Sequence, residues 1–147
     1  MLKMIQRMVP RSPWLYRINA GSCNGCDVEL ATTALIPRFD VERLGCKYCG
    51  SPRHADIVLI TGPLTTRVKE RVLSVYEEIP HPKITVAVGI CPISGGVFRD
   101  SYSIEGPMDQ YIPIDINVPG CPPRPQAIIE GIMKACELWK NRLAEVK

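Results

Sequence analysis

The chain has 147 residues, 46% hydrophobic and 22% charged, so it is long enough to bury a core as one domain and too apolar to be disordered. Its net charge of +3 is mild and its charges are interspersed, which excludes nucleic-acid binding through a strong basic patch. The longest apolar stretch, residues 84–93, is too short to cross a bilayer, and the N-terminus lacks the features of a signal peptide, so we expect a cytoplasmic protein.

The first predicted element is an N-terminal extension over residues 1–13. Apolar and basic residues are interleaved over residues 1–11 as in an amphipathic helix, and Pro10 and Pro13 end it. Two interpretations remain open. The helix packs on its own domain, or it docks on a partner or a membrane surface.

Residues 14–147 are predicted to form one domain in which strands and helices alternate. Strands are predicted at residues 14–19, 56–61, 83–90 and 111–118, and helices at 24–36, from Thr65 or Thr66 as N-cap to 80, and from about 125. The second strand is a continuous run rich in β-branched residues and the third is a continuous apolar run, as in strands buried on both faces of a parallel sheet. This order predicts an α/β domain of three layers with a mainly parallel sheet.

The last predicted strand, residues 111–118, differs from the others because its apolar residues alternate with polar ones. Ile112, Ile114, Ile116 and Val118 would share one side of a half-buried strand. Pro113 lacks a backbone N–H group, which predicts a position toward the edge of the sheet.

Four of the seven cysteines follow predicted strands. Cys23 and Cys26 come after the first strand, Cys91 after the third and Cys121 after the last. Because the carboxyl ends of parallel strands share one edge, these four thiols can meet there. Thiolates from one CxxC pair and two solitary cysteines, in loops rich in glycine and proline, are typical of an iron–sulfur cluster. Such loops leave room for the cluster and allow backbone N–H groups to face its sulfurs.

A zinc site is the competing interpretation. Cys23, Cys26, Cys46 and Cys49 have the spacing C-x2-C-x19-C-x2-C, which lies within the range of structural zinc sites. On spacing alone, zinc and cluster are equally good. The intervening residues favour the cluster because they have the period of a full helix where zinc ribbons use short hairpins. Zinc would also leave two cysteines at the functional edge of the sheet without a role.

Five motifs in this order resemble a known family: GSCNGCDVE, PRFDVERLG, SPRHADIVLITGP, GICPISGG and PGCPPRP. They are similar to the small subunit of energy-converting, membrane-bound [NiFe]-hydrogenases, which is homologous to the complex I subunit that carries the terminal cluster. The resemblance covers residues 14–136. The complex I branch has two adjacent cysteines in the first motif, whereas Asn24 and Gly25 separate the two cysteines here, as in hydrogenases.

The resemblance implies a flavodoxin-like fold with the metal site at the carboxyl edge of the sheet. It implies that Cys23, Cys26, Cys91 and Cys121 ligate one [4Fe-4S] cluster, and that the chain passes electrons without holding the catalytic metal. The implied partners are a large catalytic subunit, a ferredoxin-type cluster-bearing subunit and membrane subunits, with the chain peripheral on the cytoplasmic face. A complex I-type quinone oxidoreductase, a related sulfur-reducing complex and a zinc-stabilised interaction module remain as alternatives.

The remaining cysteines are predicted to lie outside the cluster. Cys46 and Cys49 precede a turn that leads into a strand, which places them at the amino edge of the sheet, where we expect either a local disulfide or free thiols. Cys136 lies on the apolar stripe of the last helix, and we expect it to be core packing.

Overall fold

The structure, a computed structural model, describes residues 12–145, so the helix predicted over residues 1–11 lies outside the described residues. The strands are β1 (Trp14–Asn19), β2 (Lys47–Tyr48), β3 (Ile57–Thr61), β4 (Leu64–Thr65), β5 (Ile84–Val88), β6 (Ile104–Gly106) and β7 (Ile116–Val118). The α-helices are α1 (Gly25–Leu35), α2 (Lys69–Glu77), α3 (Ile90–Ser94) and α4 (Pro125–Glu145). Between residues 12 and 145, no helix has both the length and the apolar character needed to cross a membrane.

Five strands form one parallel sheet in the order β2-β1-β3-β5-β7. Numbered by their sequence within this sheet, they have the order 2-1-3-4-5, which is the flavodoxin-like order. Helices cover both faces, so the predicted three-layer α/β fold is confirmed. The short strands β4 and β6 form a separate antiparallel pair.

The core is divided between the two faces of the sheet, because successive side chains of a strand point to opposite faces. On one face, α1 and α4 pack against β1, β3 and β5 through Leu15, Leu30, Ile57, Leu59, Val86, Ile128, Ile132 and Trp139. On the other face, α2 and the segment around residue 108 pack through Ile18, Val58, Ile60, Val72, Ile79, Met108 and Ile112. Every residue of β3 and β5 is buried, as their continuous apolar runs predicted.

The segment 111–118 departs from its prediction. Only Ile116–Val118 forms a strand, and Met108–Gln110 forms a 3-10 turn before it. Ile112 packs on the α2 face while Val118 packs on the α4 face, so the prediction that they share one side is wrong. The non-extended backbone near residue 111 breaks the period of two. The predicted edge position is confirmed, since β7 is the last strand of the sheet.

Two further boundaries differ from prediction. Thr65 and Thr66 do not cap α2, because Thr65 pairs with Ile104 in the β4–β6 ladder and the Thr66 N–H donates to Ser103 O at 2.9 Å. Helix α2 therefore begins only at Lys69. The predicted strand 83–90 ends at Val88, and the chain continues directly into the short helix α3.

Candidate metal centre

The structure brings the ends of β1, β5 and β7 to the same edge of the sheet. Cys26 lies in the first turn of α1, Cys91 in α3, and Cys23 and Cys121 in the loops that follow β1 and β7. Backbone hydrogen bonds join the connection between β5 and α3 to the end of β7, because the Gly89 N–H donates to Val118 O at 2.8 Å and the Ile90 N–H to Gly120 O at 2.9 Å. The start of α3, which bears Cys91, is therefore held against the loop that bears Cys121.

Glycines leave space beside three of these four sulfurs. A Cβ atom added at Gly89, whose φ is +94°, would lie 2.6 Å from Cys26 Sγ. Added at Gly96 it would lie 3.2 Å from Cys91 Sγ, and at Gly25 it would lie 3.6 Å from Cys23 Sγ. A side chain at Gly89 would overlap Cys26 Sγ and one at Gly96 would press on Cys91 Sγ, whereas one at Gly25 would make an ordinary contact with Cys23 Sγ. The free space beside Cys26 and Cys91 suits a site that accommodates a bulky group.

The four thiols are close enough to influence one another electrostatically. Burial first, and then the neighbouring Cys91, Cys23 and Cys121, raise the pKa of Cys26 to about 11. The pKa of Cys91 is also raised, first by burial and then by Cys121 and Cys23. Thiolates gathered in this way repel one another, so the chemistry of the donor set fits a cationic metal group that neutralises them.

A buried carboxylate that the sequence analysis did not single out fixes the start of α1. Asp27 follows Cys26 directly and is only 8% exposed. Its Oδ1 accepts a hydrogen bond from Thr61 Oγ1 at 2.8 Å and lies 3.1 Å from Arg17 Nη1, and its Oδ2 accepts one from Asn19 Nδ2 at 3.0 Å. The sequence signal for this anchor was a polar residue at the end of each central strand, Asn19 and Thr61.

The loop that carries Cys23 is also tied to the end of β1. Asn19 Oδ1 accepts hydrogen bonds from the N–H groups of Gly21 and Ser22 at 2.9 and 2.8 Å, and Ser22 Oγ accepts one from the Asn24 N–H at 3.0 Å. These three N–H groups are therefore used within the loop. The expectation that loop N–H groups face the cluster sulfurs is wrong for them, because the side chains of Asn19 and Ser22 accept their hydrogen bonds.

The zinc interpretation is wrong because its four cysteines lie at opposite ends of the sheet. Cys46 and Cys49 flank β2, whose Lys47 pairs with Trp14 at the start of β1, whereas Cys23 and Cys26 follow the end of β1. A strand of six residues spans roughly 16 Å, far more than a zinc ion with bonds of about 2.3 Å can bridge.

Among residues 12–145, no three His, Cys, Asp or Glu side chains lie close enough to hold a single metal ion. This holds for the carboxyl edge as well. An iron–sulfur cluster differs from a single ion in this respect, because each of its irons takes its own thiolate and the ligand sulfurs are spread around a larger body.

Cys46 and Cys49 lie at the amino edge, as predicted, but on opposite faces of the sheet. Cys49 Sγ donates to Ser51 O at 3.4 Å, while Cys46 Sγ lies 3.4 Å from the Sγ of Cys136. All three are free cysteines in the structure, so the local disulfide between Cys46 and Cys49 is not formed. The contact between Cys46 and Cys136 was not predicted, because nothing local relates residues on a short strand and a distant helix.

Comparisons with known proteins agree on one family. The family profile described as NADH ubiquinone oxidoreductase, 20 Kd subunit, matches residues 23–135. A probable membrane-bound hydrogenase subunit of Pyrococcus furiosus is 54% identical over 131 residues, which cover 89% of this chain and 78% of that protein. Formate hydrogenlyase subunit 7 of Escherichia coli is 42% identical over 137 residues, which cover 93% of this chain but only 53% of that protein.

Solved structures resemble this fold over most of its length. A chain in the structure of the membrane-bound sulfane sulfur reductase, an archaeal respiratory membrane complex, superposes with a TM-score of 0.79 at 36% identity, covering 96% of this chain and 77% of that one. A chain of an NAD+-reducing [NiFe]-hydrogenase superposes with a TM-score of 0.65 at 21% identity, covering 90% of this chain and 93% of that one. The second likeness concerns the fold alone.

Proposed function

The chain belongs to the family described as the 20 kDa subunit of NADH ubiquinone oxidoreductase, and on this premise we propose that it is the electron-transfer subunit of a membrane-bound [NiFe]-hydrogenase-type complex. The family match over residues 23–135 confirms the resemblance that the five sequence motifs indicated. The hydrogenase assignment is supported by the 54% identity to the Pyrococcus furiosus subunit and by the CxxC form of the first motif.

We propose that Cys23, Cys26, Cys91 and Cys121 hold one [4Fe-4S] cluster. The observation that carries this proposal is the meeting of three strand-end loops at one edge, with glycines beside the sulfurs of Cys23, Cys26 and Cys91. When bound, such a cluster accepts and releases one electron at a time. The cysteines bind it, Asp27 and Asn19 hold the first loop in place, and the glycines keep side chains out of its volume.

Apolar side chains exposed near this edge support docking of a large catalytic partner. Val28 on α1 is 62% exposed, and Val97 and Tyr102, which follow α3, are 86% and 101% exposed. In this proposal these three side chains belong to the surface that another subunit covers. In this proposal the catalytic metal lies in that subunit, and a ferredoxin-type subunit supplies electrons.

The proposed location is the cytoplasmic face of the membrane, where membrane subunits of the complex hold this chain peripherally. The Pyrococcus furiosus relative and the sulfane sulfur reductase support it, since both are described as membrane-bound. The sulfane sulfur reductase also supports a second candidate, the equivalent subunit of a sulfur-reducing complex, through its TM-score of 0.79 at 36% identity.

The cluster is tested by replacing its proposed ligands in the anaerobically purified protein. Wild type is expected to contain about four iron and four sulfide per chain and to show a cluster EPR signal when reduced. Cys91→Ser and Cys121→Ser should each lose most of both. The matched control, Cys46→Ser with Cys49→Ser, should keep the iron content and the EPR signal. Full iron in either ligand variant, or loss of iron in the control, would refute the ligand assignment.

The activity of the intact complex distinguishes the two candidate functions. With a reduced ferredoxin-type donor, a hydrogenase-type complex evolves hydrogen, whereas a sulfur-reducing complex releases sulfide from polysulfide and evolves none. Sulfide release without hydrogen would replace the first candidate by the second and leave the cluster assignment standing.

A further inference from the structure

A second pair of sulfurs lies far from the candidate metal centre. Cys46 immediately precedes β2 and is only 2% exposed, and Cys136 lies in α4 and is partly exposed. Their Sγ atoms are 3.4 Å apart although the residues are 90 positions apart in the chain. Both pack in the core between α4 and the sheet, at the amino edge, whereas the proposed cluster ligands lie at the carboxyl edge.

We propose that Cys46 and Cys136 form a redox-active dithiol whose oxidation to a disulfide fastens the C-terminal helix α4 to the edge strand β2. The sulfurs are already in contact, and a bond of about 2.05 Å needs a movement of roughly 1.4 Å, which small side-chain rotations can supply. Strand β2 has only two residues and pairs with β1 alone. A covalent link to α4 would therefore secure the least supported strand of the sheet.

The oxidant is a small disulfide of the glutathione class, and the exchange balances without any other reactant. The partly exposed Cys136 attacks one sulfur of the small disulfide, forming a mixed disulfide and releasing one small thiol. Cys46 then attacks the Cys136 sulfur and releases the second small thiol. The two protons lost by the cysteines are gained by the two released thiols, so two cysteines are oxidised and one small disulfide is reduced.

Exposure rather than acidity sets this division of roles, because Cys136 is partly exposed while Cys46 is only 2% exposed. The hydrogen bond from Cys136 lowers the pKa of Cys46, and the positive charge of Lys140 lowers it further although burial opposes both. The same hydrogen bond, together with burial, raises the pKa of Cys136. The raised pKa of Cys136 makes the first step slow, and Cys46 completes the second step because its sulfur lies beside that of Cys136, at 3.4 Å in the free pair.

The test uses the purified holoprotein, equilibrated without oxygen in buffers of stepped ratios of oxidised to reduced glutathione. Free thiols are then alkylated and the protein is digested with trypsin. Cleavage after Arg43, Lys47, Arg53, Lys134 and Lys140 places Cys46, Cys49 and Cys136 on three separate peptides. We expect one disulfide, joining the peptides of residues 44–47 and 135–140, while the visible absorbance of the cluster remains unchanged.

Single variants test the order of the steps. Cys46→Ser should accumulate a glutathione adduct at Cys136, because the second step is removed. Cys136→Ser should leave Cys46 unmodified, because that sulfur is 2% exposed. Cys49→Ser, the matched control, should form the same disulfide as wild type. The oxidised protein is expected to unfold about 10 °C higher than the reduced one, because the link closes a long loop.

Three outcomes would overturn the proposal. The first is a disulfide between Cys46 and Cys49 in place of the expected one. The second is complete alkylation of Cys46 and Cys136 at the most oxidising ratio. The third is an adduct at Cys46 rather than at Cys136 in the single variants. None of these outcomes bears on the proposed cluster ligands, which are tested separately by the iron content of the same protein samples.

Discussion

Gly89 joins β5 to α3, and alanine at this position is expected to displace Cys26 from the candidate metal centre. The new Cβ atom would lie 2.6 Å from Cys26 Sγ. Ordinary contacts between such atoms are about 3.5 to 4.0 Å, so the sulfur must move by roughly 1 Å. The length of a bond between a metal and its ligand varies by only about 0.2 Å, so this movement would break the proposed bond from Cys26 to iron.

Two separate costs add to the free energy of folding in this variant. The backbone of Gly89, with φ 94° and ψ 169°, lies in a region that is essentially restricted to glycine, and a side chain there costs about 1 to 3 kcal/mol. The steric overlap with Cys26 costs about 1 to 3 kcal/mol more, as overpacking does elsewhere in protein cores. The variant should therefore lose about 2 to 6 kcal/mol of stability.

Gly45→Ala is the matched control for this prediction. Gly45 also has a positive φ, +85°, but no atom lies within 4 Å of its added Cβ. Alanine there should cost only about 1 to 2 kcal/mol from backbone strain and leave the site untouched. Both variants are assayed for iron and sulfide per chain, for the EPR signal of the reduced protein and for the midpoint of urea unfolding.

The expected result is that Gly89→Ala loses at least half of its iron while Gly45→Ala retains all of it. Equal and complete iron content in both variants would refute the reasoning, because it would mean that the space beside Cys26 is not required by the bound group. Equal loss of iron in both variants would instead show that backbone strain alone causes the loss.

Three further predictions concern stability. Gly131→Ala should lower the urea midpoint by an amount equivalent to about 1 to 3 kcal/mol, because its Cβ would lie 2.4 Å from Val118 Cγ2; an unchanged midpoint would contradict this packing. Asp27→Ala should cost about 2 to 3 kcal/mol in the same assay, and a loss below 0.5 kcal/mol, on the order of an ordinary surface substitution, would mean that its hydrogen bonds are not needed. The hydrogen bond from Lys69 lowers the pKa of Glu105 below its ordinary value of 4.5, so its stabilisation is present above pH 4.5 and lost as the pH falls through the folded-state pKa. The difference in midpoint between wild type and Glu105→Gln should therefore shrink on acidification, and a difference independent of pH would contradict the assignment.

The layout of the sheet could be predicted because it depends on local patterns. A strand that is buried on both faces is apolar at nearly every position, and β3 and β5 have this pattern, with Thr61 and Thr85 as their only polar residues. The cysteines that follow β1, β5 and β7 could be assigned to one edge for the same reason, since strand direction in a parallel sheet decides at which edge each connection lies.

Prediction failed where a residue's environment depends on the path of the backbone between elements. The alternation of residues 111–118 indicated one continuous strand, but a non-extended backbone before β7 sends Ile112 and Val118 to opposite faces. Thr65 had the chemistry of a helix cap, yet pairing with β6 used its backbone instead. In both cases tertiary packing outweighed a local preference.

The amino-acid sequence by itself determined the order of strands and helices, the buried character of the central strands and the placement of four cysteines after strand ends. These follow from side-chain periodicity and backbone direction, which are properties of neighbouring residues. Only the tertiary structure decided that Cys46 contacts Cys136 and that Asp27 binds the ends of β1 and β3. Such contacts join residues far apart in the chain, and they form only because the burial of apolar faces sets how each helix lies on the sheet.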